Sequence, residues 1–138
     1  MNLPIVLALG GLVGFGLSSF FWKISGLSKV YPPSFMVVET LCVLLVAIAV
    51  HLVQKQPFAL SPRMAGVASL AGLSAGLAIL ATMTAFRLGG EASIVSPITS
   101  LGFVVAVLLA YFLLRESMTT AKLVGFGLAV AAIVVLSR

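Results

Sequence analysis

Aspartate is missing from this 138-residue chain, and the whole acidic complement is three glutamates, beside one histidine and one cysteine. An aspartyl dyad is therefore impossible, and a Cys/His metal cage lacks its ligands. Cys42 has no second cysteine to pair with inside the chain, and its place in an apolar run reads as ordinary packing. His51 is the sole histidine that could serve a serine nucleophile as base, and its place at the end of an apolar run reads as an interfacial side chain. No catalytic residue, metal site or cofactor is expected. The absence of a nucleotide-binding motif removes ATP-driven chemistry as well. Charge is scarce too: 8% of residues are charged, against roughly a quarter in an ordinary soluble domain. The net charge of +5 comes from Lys and Arg scattered singly, mostly at the ends of apolar runs. They read as interfacial anchors and topology signals, not as a surface for nucleic acid.

What the chain has is apolar length. Hydrophobic residues make up 62% of it, and they fall into five stretches at about Leu3 to Phe21, Ser34 to Val53, Met64 to Leu88, Ala92 to Leu114 and Ala121 to Leu136. A hydrocarbon core about 30 Å thick needs roughly 20 apolar helical residues, so each stretch is of spanning length or slightly less. Unpaired amides are too costly in lipid for irregular backbone, and the runs are too long and non-alternating for barrel strands. The expected fold class is an all-α membrane protein, a bundle of about five transmembrane helices forming one domain over residues 1–138. The first stretch lacks a basic leader and a convincing cleavage site, so it is expected to stay as a helix, continuing past Trp22 and Lys23 to about Lys29. Tyr31, Pro32 and Pro33 predict an extended turn into the second span. Trp22 and Tyr31 mark one interface. Small residues recur at spacing four, at Gly10, Gly14 and Ser18, at Ala68, Gly72 and Gly76, and at Gly125 and Ala129. Close helix contacts, mostly within the chain, are expected along those faces.

Few residues can carry chemistry. Glu39 lies about six residues inside the second span, where an ionisable group costs a few kcal/mol unless it is paired, hydrated or protonated. Lys23 is the expected partner: both charges fall roughly 9 Å below the same surface at 1.5 Å per residue. A structural salt bridge, or a lysine reaching up to the headgroups, is the alternative use. Glu91 opens the fourth stretch after the Gly89–Gly90 pair and reads first as a helix-dipole residue, with Arg87 near enough in sequence to pair with it. Ser93, Ser96 and Ser100 share one helix face, and Pro97 removes a backbone hydrogen bond between them. That face is expected to bend and to line a cavity, since transporters build sites from broken helices; packing alone is the alternative.

The run Gly90-Glu-Ala-Ser-Ile-Val-Ser-Pro-Ile-Thr-Ser-Leu, with Leu113-Leu-Arg-Glu-Ser-Met-Thr and a last helix ending Val-Val-Leu-Ser, resembles the EamA-like domain of the drug/metabolite transporter superfamily. Phe21-Trp-Lys-Ile, the Tyr-Pro-Pro turn and a carboxylate in the second helix resemble its short single-domain branch. Most relatives carry two such domains, the second inverted. The resemblance implies a transporter of small metabolites or drugs, with Pro97 and its serines along the route and Glu116 as a motif residue of the last loop. An arginine that many two-domain members place near the position of Glu39 has no counterpart here. The expected function is secondary, gradient-driven transport by a homodimer in a lipid bilayer, in the prokaryotic plasma (inner) membrane. Lys23, Glu39, Ser96, Pro97 and Ser100 form the expected pathway, with Trp22, Arg87, Glu91 and Ser93 beside it, and Glu39 is the expected proton-coupling group. The rival reading is a non-transporting assembly module, which needs packing faces and no hydrated cavity; a channel is a third.

Five spans put the chain ends on opposite sides. Lys55, Arg63, Arg115 and Lys122 then flank the N-terminal side, and Lys23, Lys29, Arg87 and Arg138 the other, 4 against 4. Orientation normally follows an excess of Lys and Arg on the cytoplasmic side. A tie predicts dual topology and an antiparallel, two-fold homodimer; a single orientation in a parallel dimer is the competing arrangement.

Overall fold

The computed structural model describes residues 2–136, apart from the side chain of Lys122. Arg138 and the Lys122 side chain, both counted in the charge tie, therefore lie outside the described residues. Among the described residues the regular structure is helical, in the order α1 Leu3–Leu27, α2 Pro32–Gln54, α3 Pro62–Arg87, α4 Ala92–Ser100, α5 Gly102–Leu114 and α6 Thr120–Leu136. Among the described residues four helices are long and apolar enough to cross a membrane, with α4 and α5 together making one of them, and the last apolar helix is shorter. Leucine, valine and phenylalanine along the spans stay largely exposed. Lipid, unlike water, accepts such a surface.

The helix ends follow local chemistry. Pro32 and Pro33 do not sit in the turn before α2, as expected, but inside its first turn. Their missing N–H groups would have no intrahelical partner there anyway, and the fixed φ suits the helix. Only Tyr31 stays extended, at φ −68° and ψ 115°. At Ser61 the hydroxyl accepts the Met64 N–H and caps α3. Helices α1, α2 and α5 each stop at a basic residue with left-handed backbone: Lys29, Lys55 and Arg115, at φ 52°, 50° and 54°. At the first of these, Val30 N–H bonds the Ser25 carbonyl while Lys29 N–H bonds that of Gly26, the paired pattern of a Schellman stop. A non-glycine residue in this region costs roughly 1–2 kcal/mol. A cation at a helix C-terminus recovers about 0.3–1 kcal/mol of that and anchors the end at the headgroups.

Packing divides the chain into two units, residues 21–89 and residues 1–20 with 90–138. In the first, α2 packs on α3, and the buried residues are Ser25 and Gly26 of α1, Pro32 of α2, and Thr82, Met83 and Phe86 of α3. Gly26 is what permits this core. A Cβ there would stand 2.7 Å from Phe86 Cβ and 2.8 Å from the Phe86 carbonyl carbon. In the second unit α4 packs on α5 and α6, and Phe103 meets Phe126 edge to face at 5.7 Å. The glycines among the spaced small residues do not serve the expected contacts within the chain. Added Cβ atoms at Gly10, Gly14, Gly72, Gly76 and Gly125 would meet nothing within 4 Å. Spacing places small residues on one face, but only a second helix at short distance turns that face into a contact.

Candidate functional site

Two polar clusters lie on these helices, one in each unit. The first joins α1 to α2. Glu39 stands seven residues past Pro32, about 10 Å along the helix. Trp22 is on α1, one turn before Gly26, so the close approach of that glycine to α3 also fixes where the indole stands. Its Nε1–H donates to Glu39 Oε1 at 2.9 Å. The Trp22 carbonyl in turn accepts the hydroxyl of buried Ser25 at 2.8 Å. Glu39 Oε2 is buried and has no hydrogen-bond partner.

That second oxygen is the notable feature. An orphaned buried acceptor costs about 1–3 kcal/mol, and more if charged. One polar bond in a membrane protein is worth about 0.6 kcal/mol on average. The indole bond does not offset the orphaned oxygen, so the arrangement is not explained by stability. It holds one carboxylate oxygen in place and leaves the other buried without a hydrogen-bond partner. Lys23 Nζ lies 5.6 Å from the centroid of the Phe86 ring, at cation–π range. The hydrogen bond that orients Glu39 comes from Trp22, expected at an interface and beside the pathway instead of on the carboxylate.

The second cluster joins α1 to α4. Ser19 Oγ and Ser96 Oγ share a hydrogen bond of 2.9 Å. The Ser96 carbonyl accepts the hydroxyls of Thr99, at 3.0 Å, and of Ser100, at 2.8 Å. Proline at 97 supplies no N–H to the turn before it, and the helix breaks a turn later, at Leu101, whose N–H reaches back only to Ile98. Val104 N–H likewise bonds Leu101. These three-residue closures tighten the backbone between α4 and α5. The serine face is only partly joined: Ser96 is half-buried against α1, whereas Ser93 and Ser100 are exposed. Ser93 donates to Glu91 Oε2 at 3.3 Å. Glu91 precedes the first helical turn instead of standing in it, and its side chain makes no capping bond to the backbone.

The match to known families decides the class. The model of the EamA-like transporter family matches residues 2–138. The chain belongs to the EamA-like transporter family. Comparison with curated proteins and with solved structures finds no match. This EamA-like chain is thus an integral, multi-pass membrane protein of a transporter family.

Three site residues of this EamA-like chain escaped the sequence reading. Ser19 was passed over for Ser18, which fits the small-residue spacing, although both hydroxyls lie at membrane depth. Ser25 and Gly26 carry no signal of their own near the end of an apolar run, and nothing in a single sequence separates a glycine that stops a helix from one that admits a neighbour. Hydroxyls alone are weak signals in membrane helices. Those of Ser69, Ser74, Thr82 and Thr84 bond carbonyls one turn back on their own α3, which satisfies them without any second helix.

Proposed function

We propose that the chain is a secondary transporter of small metabolites or drugs, driven by an ion gradient in a prokaryotic plasma membrane, with Glu39 as the proton-coupling carboxylate. The observation that carries this reading is the divided state of Glu39, one oxygen held by the Trp22 indole and the other buried without a partner. A carboxylate that alternates between proton and substrate needs a fixed geometry and an unfilled acceptor, and this one has both. Lys23 beside Trp22 in sequence, and Ser96, Pro97 and Ser100 at the broken fourth span, are the further pathway residues, the break supplying backbone polarity that a continuous helix withholds.

Two copies inserted in opposite directions form the working unit. A five-span unit supplies one half of an inverted repeat, and the tie between the two sides in Lys and Arg leaves both insertions close in energy. The stops at Lys29, Lys55 and Arg115 support this reading. Successive spans point opposite ways, so a basic residue at each C-terminal stop distributes charge to both membrane faces.

Reconstitution into liposomes with a metabolite panel and an internal pH dye tests the proposal. The expected result is substrate-dependent proton movement that Glu39→Gln abolishes while helical content stays constant. Unchanged proton-coupled flux in Glu39→Gln removes the coupling role. No flux of any panel member, with the protein folded, favours the assembly-module reading.

A further inference from the structure

The unit formed by residues 1–20 and 90–138 contains a cavity that the transport reading leaves unused. It is an open groove between α5 and α6 with a volume of about 570 Å³, lined by Phe103, Ala106, Tyr111, Glu116, Gly125 and Ala129 among others. That volume falls within the roughly 300–1,000 Å³ of small-molecule sites. Phe103 and Ala129 stand at its deep end, and Glu116 at the end where the chain leaves α5. From Leu114 back to Phe103, or from Thr120 on to Ala129, is about 15 Å along the helix, one leaflet of a hydrocarbon core about 30 Å thick.

We propose that this cavity holds one acyl chain of a phospholipid whose zwitterionic headgroup carries an amine, with the ammonium on Glu116. The lining below the rim is apolar, as a hydrocarbon chain requires. Glu116 is exposed at the lip, and its N–H is fastened to the Ala110 carbonyl at 3.3 Å. A carboxylate at headgroup level attracts an ammonium and repels an anionic headgroup that has none. A helix from a second copy is the competing occupant, and it would bring no group of its own that the Glu116 carboxylate at the rim calls for. The proposal is independent of the transport mechanism.

Native mass spectrometry of the full chain tests it, with the detergent-solubilised protein exposed to equal amounts of phosphatidylethanolamine and phosphatidylglycerol of matched chains. Retained lipid should be mainly phosphatidylethanolamine, and Glu116→Gln should lower that preference about five-fold, the upper range for one exposed ion pair. Gly125→Leu should reduce retention of both lipids, because its side chain grows into open space. If that variant loses helical signal, Ala106→Leu replaces it in the comparison. Equal retention of the two lipids by the unaltered protein, an unchanged preference in Glu116→Gln, or full retention after the cavity is filled would each overturn the proposal. So would a disulfide-linked dimer formed in lipid by Gly125→Cys in a Cys42→Ser background, which would identify the occupant as a second copy.

Discussion

Gly26→Ala should loosen the first unit and disturb the carboxylate together. The added methyl would lie 2.7 Å from Phe86 Cβ, 2.8 Å from the Phe86 carbonyl carbon and 3.0 Å from Arg87 N. None of these is the free end of a flexible side chain, so the helices themselves must part. Ordinary contact begins at 3.4 Å, which asks for a retreat of about 0.7 Å. Overpacking of this kind costs about 1–3 kcal/mol. Exchanging a near-terminal helical glycine for alanine returns at most about 1 kcal/mol, so the net loss lies between about 0 and 3 kcal/mol, and against a glycine-to-alanine control that shares this gain the overpacking cost itself is read. The same retreat, if it runs along the Trp22–Glu39 bond, takes that bond from 2.9 Å beyond the limit of about 3.5 Å. Thermal or denaturant unfolding in micelles measures the first effect, and proton-coupled flux in liposomes the second. Gly14→Ala, where a Cβ meets nothing within 4 Å, is the control and should unfold no earlier than the parent chain. A Gly26→Ala protein as stable as the control would refute the reasoning, because the helices would then not approach as closely as described.

Trp22→Phe keeps an aromatic ring but removes the donor to Glu39 Oε1; coupled flux should fall, with stability changed by about 0.6–1.7 kcal/mol, the range for one polar bond in a membrane protein. Flux equal to that of the parent would show that the indole does not orient the carboxylate. Ser96→Leu should block substrate movement more than folding, since it removes the Ser19 partner beside the broken turn; normal transport by poorly folding protein would make Ser96 a packing residue. Single cysteines introduced as Lys29→Cys and Lys55→Cys, each in a Cys42→Ser background, should both react with an impermeant reagent applied to intact cells. Reaction at one site alone would eliminate dual topology.

Much of this protein is decided locally and is therefore legible in one sequence. Each apolar run must be a helix because lipid offers no partner to an open backbone, and that argument needs no neighbour. The helix ends at Ser61, Lys29 and Lys55 lie where polar, proline or basic residues interrupt the runs, and the cost of placing Glu39 inside one follows from depth alone. The proline pair departs from expectation only in position, inside the first turn of α2, since proline is as good a start to a helix as a barrier before one. Tertiary structure decided the rest. Spacing tells which residues share a helix face, but the rotation of that helix and its distance from the next set which of them touch. That is why Trp22 holds Glu39, why Ser19 and not Ser18 meets Ser96, and why the packing requires a missing side chain at Gly26 but not at Gly10, Gly14 or Gly72.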